Sequence, residues 1–402
     1  MLKLRRAIVL DAAAPTHDGS SDGRGSAQAA EQALVVALAD GDGARRAAIA
    51  DVTLVGRAEP GDEVIVNVQA LDLGLGSGGF DIVHVNLTRG LAGDGAPGAS
   101  VMKLNYTSLQ HAVNPVEDER LRLPIERPVA VLALHGQLAA VAWSYGRQAP
   151  GSRLGYVQTE GGALPGGHSR TVRVLRERGL LAGHLTAAAA YGGEGEAITI
   201  AGALHHGLST LGWDAAVCGP GPGIVGSSSA LGHGGMAALD SAHAALALGC
   251  HTLLVARMSS GDGRERHRGI SHHTLTVLDL LLEPVSVAIP AGMRSPVGAD
   301  LREGLGTVFG GATPSRPMKH RPALALDVER PVRITRHDWR RAAVDMPAFA
   351  AAGLPVSTMG RALTEDPLFF GAALAGGTAL AELSDVPSSA HADAESGVSG
   401  AA

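Results

Sequence analysis

The sequence has few cysteines, few lysines and few aromatic residues. Its two cysteines, Cys218 and Cys250, fall beside strand-like apolar runs, and aromatic residues make up 3% of the chain. This placement favours two buried small hydrophobic side chains over a disulfide framework or a cysteine metal site. The lysines are Lys3, Lys103 and Lys319. A Schiff-base mechanism therefore has few candidate lysines, and most of the positive charge of the chain comes from arginine.

A surplus of basic charge is also absent. The formal net charge is −6 and the isoelectric point is near 6.3, which argues against a nucleic-acid coat protein or a protein of anionic membranes. The apolar run at residues 7–10 is too short for a signal peptide or a membrane span. We therefore expect a cytoplasmic protein without nucleic-acid or membrane partners. The sequence leaves open whether it forms a homo-oligomer.

Glycine and small apolar residues are abundant. The 402 residues include 55 glycines, and 45% are hydrophobic, which suits a globular α/β protein with many tight turns. The length exceeds one average domain, so we expect two domains and a tail.

Short strand-like runs separated by turn signals predict a small antiparallel β domain, barrel-like in form, over residues 1–100. The predicted strands cover residues 5–10, 33–39, 47–55, 62–70 and 82–87. A polar loop or disordered insert is expected at 16–32, and a connector at 101–128.

From residue 129 apolar runs alternate with helical stretches, which predicts a doubly wound, mainly parallel, Rossmann-like α/β domain over 129–345. The predicted strands cover residues 129–134, 154–158, 185–190, 214–218, 252–256 and 285–289. Helices are predicted near 136–147, 167–180, 195–211, 233–248 and 271–282. Further candidates are strands at 323–326 and 331–335, a C-terminal strand and helix extension at 346–383, and a disordered tail at 384–402.

Ligands of open parallel sheets bind beyond the carboxyl ends of the strands, and here most of these ends carry glycine or polar residues. The candidate ligand-binding residues in the first loops are His135, Gly161, Gly221, Gly223, Gly226, Ser227, Ser228 and His233. The backbone N–H groups and hydroxyls of a glycine- and serine-rich loop can cradle an anion.

The glycine loop also contains a formal G-x-G-x-x-G at Gly221, Gly223 and Gly226. A dinucleotide site needs the helix to begin inside the glycines and an acidic residue about 20 positions later. Here Pro222 interrupts the motif and the next predicted strand ends in Arg257. An NAD(P) site stays an alternative, and a P-loop is excluded because no Gly-Lys-Ser/Thr follows.

The next loop holds the densest polar cluster of the chain, RERHRGISHHT at residues 264–274. Ser271 occupies a helix N-cap position, so His272 and His273 would open the helix, where the dipole favours neutral imidazoles. We take these three residues as catalytic candidates. Arginine binds phosphate or carboxylate bidentately, so the ligand-binding candidates here are Arg257, Arg266, His267 and Arg268. A solvated loop without a function is the competing interpretation.

A metal and a serine nucleophile are weaker alternatives. His267, His272 and His273 could ligate zinc or manganese with Glu160 or Glu194, but His272 and His273 are expected to diverge at the helix start. Glu194 is predicted to open a helix together with Glu196, where it would act as a capping charge. No nucleophile elbow occurs, and Ser169 is poorly placed for that role. The cofactor and any metal stay unknown.

The loops together resemble a bacterial domain-of-unknown-function family, number 3866, of actinobacterial and spore-former type. The resemblance rests on the segments at 135–137, 159–165, 191–193, 221–231, 266–274 and 359–367, and it extends to the β domain and the connector. Two loops depart from the family pattern: Gly193-Glu194-Gly195 stands where an aspartate is usual, and Ser227-Ser228-Ser229 stands where threonine is common. The family implies no activity.

We therefore expect a protein that binds a small anionic ligand, phosphorylated or nucleotide-like, at the C-terminal edge of a parallel sheet. The enzyme hypothesis is a hydrolase or group transferase that uses His272 or His273 for proton transfer. The alternative is a non-catalytic metabolite-binding or regulatory protein.

Overall fold

The N-terminal region forms a closed five-stranded barrel. The computed structural model describes residues 1–16, 31–40, 43–75, 78–93, 95–117, 120–292 and 330–385. The barrel strands are β1 (Leu4–Ala12), β2 (Glu31–Leu38), β3 (Arg45–Asp51), β4 (Glu63–Asn67) and β5 (Asp81–Asn86). They follow the order β1-β2-β3-β5-β4, and β1 closes on β4. The predicted barrel-like domain is confirmed. One contact differs from the antiparallel expectation, since β3 and β5 run parallel.

The α/β region that follows the barrel is built around an eight-stranded parallel sheet. After the connector hairpin of β6 (Val101–Lys103) and β7 (His111–Val113), the sheet takes the order β11-β10-β9-β12-β8-β13-β16-β17. Its strands are β8 (Pro128–Leu132), β9 (Leu154–Thr159), β10 (Gly183–Thr186), β11 (Gly195–Glu196), β12 (Ala215–Pro220), β13 (His251–Val255), β16 (Ser286–Pro290) and β17 (Asp338–Ala342). Two further short strand pairs complete the strands: β14 (Met258–Ser259) pairs with β15 (Gly269–Ile270), and β18 (Ser357–Thr358) pairs with β19 (Arg361–Ala362).

Helices cover both faces of this sheet, as a doubly wound fold requires. Two short helices, α1 (Val52–Val55) and α2 (Gln69–Asp72), lie instead against the barrel strands. The helices of the α/β region are α3 (Leu138–Gln148), α4 (Arg170–Glu177), α5 (Ile200–His205), α6 (Ala237–Ala247), α7 (His272–Leu280), α8 (Arg330–Thr335), α9 (Met346–Ala351) and α10 (Pro367–Ser384). Helices α5, α6 and α7 share one apolar core with the sheet, and α3 and α10 share the other.

Several predicted elements change type or position. The helix expected at 195–211 begins only at Ile200, because Gly195 and Glu196 pair with β10 as the edge strand β11. Residues 331–335 are not a strand but lie in helix α8. The candidate strand at 323–326, most of the loop at 16–32 and the tail beyond residue 385 lie outside the described residues.

Helix α10 packs against α3 and the parallel sheet, with most of its residues in the same apolar core as α3. It is the one helix among the described residues that is long and apolar enough to span a membrane, with a mean hydropathy of 1.2, but 83% of that window is buried within the fold. This burial is typical of a core helix. A Cβ at Gly377 would lie 2.3 Å from the Val141 carbonyl oxygen, so glycine there lets α10 pack directly against the α3 backbone.

Candidate functional site

Loops from several strands of the parallel sheet meet at one edge. The Val225 N–H, in the loop after β12, donates to the Gly161 carbonyl in the loop after β9 over 3.2 Å. A Cβ placed on Gly235 would lie 3.4 Å from the Ala133 carbonyl after β8 and 3.3 Å from Nδ1 of His273 in α7. Parallel strands bring their carboxyl ends to the same edge, so sequence-distant loops share one region.

Four buried histidine rings lie at this junction, and we call His233, His267, His272 and His273 the four-histidine cluster. In five of the six ring pairs the centroids are 3.4 to 5.5 Å apart, and the rings of His233 and His273 are stacked. The predicted divergence of His272 and His273 is wrong, since their rings meet edge to face at 4.4 Å. His233 comes from the glycine loop and joins them from a different strand end.

Ser271 caps α7, as the sequence predicts. Its Oγ accepts a hydrogen bond from the His273 backbone N–H at 3.2 Å and lies 2.8 Å from Nδ1 of His267. Its side chain is fully buried, so the hydroxyl fixes both the helix start and one ring of the cluster.

The cluster is electrostatically unfavourable for imidazolium ions. Burial, reinforced by the positive charge of Arg257, lowers the pKa of His267 to about 3. Burial and the neighbouring His233 lower the pKa of His272 to about 4. Burial followed by Arg257 depresses the pKa of His273 further, and burial also lowers the pKa of His233. All four rings are therefore neutral at pH 7, in line with the expectation for His272 and His273.

Beside the cluster, three arginines and two carboxylates form what we call the arginine–carboxylate network: Arg257, Arg264, Arg361, Asp262 and Asp366. The Asp262 carboxylate accepts from Arg264 Nε and Nη2 at 2.9 and 2.8 Å, and lies 3.4 Å from Arg361 and 3.7 Å from Arg257. Burial alone raises the pKa of Asp262, but the hydrogen bonds from Arg264 hold it well below its usual range.

Asp366 ties the network to the C-terminal segment. Its Oδ2 accepts from the Ser259 hydroxyl at 2.6 Å and from Arg361 Nε at 3.0 Å. Although its burial raises the pKa, these bonds lower it overall. Three guanidinium groups against two carboxylates leave one net positive charge in the network.

Arg257 differs from Arg264 and Arg361 because its guanidinium group is buried. Its side chain is 3% exposed, its Nη1 lies 2.7 Å from His273 Nδ1, and its buried Nε has no hydrogen-bond partner. Burial, with Arg264 adding like charge, lowers the pKa of this guanidinium to about 10. It remains cationic at pH 7, and its buried Nε–H is left without an acceptor.

The other predicted arginines lie at the rim. Arg266 and Arg268 are exposed, and Arg268 Nε donates to the Asp262 carbonyl at 2.9 Å. They surround the cluster without entering it.

The glycine loop differs from a simple anion cradle. Gly221 is needed for close packing, since a Cβ there would lie 2.2 Å from the Ala163 carbonyl oxygen. Ser227 uses its hydroxyl within a small hairpin that pairs Gly226 with His233, and Ser228 is exposed. Gly223 has a left-handed φ of 68° in a tight turn.

His135 belongs to a second buried group. Its Nε2 lies 2.7 Å from the Ser169 hydroxyl and its Nδ1 lies 3.2 Å from the Pro220 carbonyl. The Pro220 contact places the proton on Nδ1, so Nε2 accepts from Ser169. Ser169 also caps α4 by accepting from the Val172 N–H. The pair thus joins the loops after β8, β9 and β12.

The structure brings together a different set of possible metal ligands from the set that the sequence predicts. Nitrogen atoms of His233, His272 and His273 lie within 4.8 Å of one another, whereas His267 is held by Ser271. Glu160 is exposed. Glu194 is paired with Arg176, and Glu196 with Lys103 at 2.7 Å. Neither glutamate opens a helix, so the capping interpretation is wrong for both.

The sequence does not reveal the contacts that Asp366, Arg361, Ser259 and Thr274 make in this region. Thr274 Oγ1 accepts from the Arg257 backbone N–H at 2.8 Å. An Asp before a Pro that opens an apolar helix, as in Asp366-Pro367, is a helix-start signal. It marks the element, but not its contact with Ser259 more than 100 residues earlier.

Ser271→Ala is expected to lower the free energy of unfolding by about 1 kcal/mol, the usual cost of losing an N-cap, because α7 loses its capping oxygen. Urea unfolding followed by circular dichroism measures this change. Ser228→Ala in the exposed glycine loop is the matched control and should stay within about 0.5 kcal/mol of wild type. Equal stability of both variants would contradict the capping role.

A family model described as "Protein of unknown function (DUF3866)" matches residues 47–377. The match begins within β3 of the barrel and extends over nearly all of the α/β region, and strands β1 and β2 lie before it. No curated protein and no protein of solved structure matches the chain.

Proposed function

The chain belongs to the DUF3866 family, and we propose that it binds a small anionic ligand, phosphorylated or nucleotide-like, at the C-terminal edge of its parallel sheet. The ligand lies beside the four-histidine cluster, with Arg257 as its buried anchor. Arg266 and Arg268 add positive charge at the rim.

One observation carries this proposal: the buried Nε–H of Arg257 has no acceptor. An unsatisfied buried donor costs about 1–3 kcal/mol, and more when it is charged. An oxygen of a phosphate or carboxylate group satisfies it in the bidentate manner that guanidinium favours. The single uncompensated positive charge of the arginine–carboxylate network supports the same ligand class.

For catalysis, we propose hydrolysis or group transfer in which His272 or His273 takes part. Neutral imidazoles beside a bound anion can accept a proton from an attacking water or hydroxyl group. The alternative is a metabolite-binding or regulatory protein that uses the same site without turnover. Product formation from a ligand that stabilises the protein favours the enzyme, and stabilisation without product favours the regulator.

The NAD(P) alternative has less support. Helix α6 begins at Ala237, after a 3₁₀ turn at Gly234–Met236, rather than inside the glycine motif. The N–H groups of its first turn therefore lie well after the glycines, unlike those of a dinucleotide site.

Arg257→Gln is expected to weaken anion binding by about tenfold to a hundredfold, since a hydrogen bond to a charged group contributes about 1.5–3 kcal/mol. The measurement is the shift in thermal unfolding temperature with inorganic phosphate, nucleotides and sugar phosphates in the presence of EDTA, because bound ligand raises that temperature.

The control is Arg147→Ala. Arg147 is exposed in the last turn of α3, at the opposite edge of the sheet, and stacks on Trp143. It should leave the ligand-induced shift unchanged. Undiminished anion binding by Arg257→Gln would overturn the proposal.

We also propose that the protein acts in the cytoplasm and is of the actinobacterial and spore-former type of its family. The burial of α10 supports the first statement, and the loop motifs at 266–274 and 359–367 support the second.

A further inference from the structure

Two nitrogen atoms of the four-histidine cluster are buried without any hydrogen-bond partner: Nδ1 of His233 and Nε2 of His272. The two side chains are 6% and 5% exposed. Buried polar atoms are nearly always satisfied, so two orphans in adjacent rings call for an explanation. A ligand that takes imidazole lone pairs supplies one.

The hydrogen bonds around His233 fix the role of its orphan nitrogen. Nε2 lies 3.0 Å from the Ala230 carbonyl oxygen, which can only accept, so Nε2 carries the proton. Nδ1 of a neutral ring then presents its lone pair. Metal-binding histidines commonly donate their other ring N–H to a backbone carbonyl in this way, which fixes the tautomer and orients the ring.

We propose that His233, His272 and His273 bind a divalent transition metal of the zinc type. Their nitrogen atoms lie within 4.8 Å of one another. Tetrahedral zinc places nitrogen ligands about 3.4 Å apart. Because the rings of His233 and His273 are stacked with an interplanar angle of 9°, one of these rings must turn for both lone pairs to point at the same ion. All three ligands are imidazoles, a set that suits zinc, cobalt or nickel better than magnesium or calcium.

Three protein ligands leave the fourth tetrahedral position open, which is the pattern of catalytic rather than structural zinc sites. The inference therefore extends the proposed function: an oxygen of the anion held by Arg257 can occupy the open position. In this assignment His272 and His273 hold the metal and do not themselves transfer the proton.

Arg257 competes with the metal for one ring. Its Nη1 lies 2.7 Å from His273 Nδ1, and a guanidinium only donates, so it uses the lone pair of that atom. The nearby net positive charge also opposes a cation. Arg257→Gln removes both effects, and this variant should bind metal at least as tightly as wild type while it loses anion binding.

The test is titration of the metal-stripped full-length protein with Co²⁺ and Zn²⁺ in buffer free of phosphate. We expect one metal per chain, intense visible absorption from tetrahedral Co²⁺, and a rise in unfolding temperature that EDTA reverses. His233→Ala should weaken binding by more than about tenfold, the least that even the loss of an outer-shell partner costs.

The control is His243→Ala. His243 lies on α6 and accepts from the Leu282 N–H beyond the far end of α7, so its loss should leave metal affinity unchanged. The wild-type Co²⁺ spectrum needs no variant, so it decides the question even if His233→Ala fails to fold. Weak octahedral absorption, or equal affinity in His233→Ala and wild type, would overturn the site.

The two proposals fail separately. Loss of phosphate binding in Arg257→Gln with no metal uptake by wild type rejects the metal site alone. Metal uptake that depends on His233, with phosphate binding unchanged in Arg257→Gln, rejects the anion site alone.

Discussion

Acidification from pH 7 to about pH 4 is expected to unfold this protein, because it buries neutral histidines that the unfolded chain protonates. Two of these buried histidines, His135 and His184, lie outside the four-histidine cluster. Burial, only partly offset by the Pro220 carbonyl, lowers the pKa of His135 to about 4. Burial, with positive charge from His135 and Arg176, lowers the pKa of His184 to about 3.

The sign follows from proton uptake. Above the unfolded pKa of about 6.5 both states are neutral and the histidines contribute no pH dependence. Between about 6.5 and the folded values, the unfolded chain binds protons that the folded protein cannot, so stability falls as pH falls. Each pKa unit corresponds to about 1.4 kcal/mol, so His184 alone contributes a loss of about 5 kcal/mol by about pH 3. The free energy of unfolding of a whole domain is about 5–15 kcal/mol, so this loss is a large part of it.

His184→Phe is the variant that isolates this effect. The His184 ring stacks on Tyr156 at 5.3 Å and its Nε2 has no partner, so a phenyl ring keeps the packing and loses no bond at that atom. Urea unfolding at pH 7.5, 6 and 5 should show a flatter pH dependence for this variant than for wild type. His84→Phe on the barrel strand β5 is the control. An unchanged slope in His184→Phe would reject the argument.

The sequence was sufficient for most of the parallel sheet because its strands are buried on both faces. Strands β8, β9, β12, β13 and β16 are near-continuous apolar runs, and such runs separated by turn signals identify parallel strands. The edge strands lack this signature. In β17, Asp338, Arg340 and Arg341 break the apolar pattern, and β11 has only two residues.

The candidate site was only partly predictable, for a different reason. Residues 264–274 are contiguous, so their charge and the Ser271 cap are visible in the sequence. The partners that set their chemistry come from other loops: His233 follows β12, and Asp366 precedes α10. Only tertiary packing brings together the net positive charge of the arginine–carboxylate network, the two histidine nitrogens without partners and the Asp366 carboxylate. A pattern along the chain carries no information about that pairing.

The same packing predicts that Gly234→Ala abolishes the site. A Cβ on Gly234 would lie 1.8 Å from the Gly161 carbonyl oxygen, and a Cβ on Gly161 would lie 2.4 Å from the Gly234 oxygen. The two backbones meet with no space for a side chain, and no rotamer change relieves a clash between backbone atoms. Gly161 also has a φ of 104°, which L residues rarely adopt.

The loop after β9 and the loop that carries His233 therefore separate in this variant. We expect a loss of about 3 kcal/mol or more in unfolding free energy, at the upper end for overpacking. Phosphate-induced stabilisation and Co²⁺ binding should be lost together, because His233 is next to Gly234 in the chain and moves with it.

Gly263→Ala is the matched control, since a Cβ there has no atom within 4 Å and the residue lies in the same group of loops. It should change stability by no more than about 0.5 kcal/mol and keep both ligands. If Gly234→Ala matched Gly263→Ala in stability, phosphate response and Co²⁺ spectrum, the contact between the two loops would not be what positions the histidines.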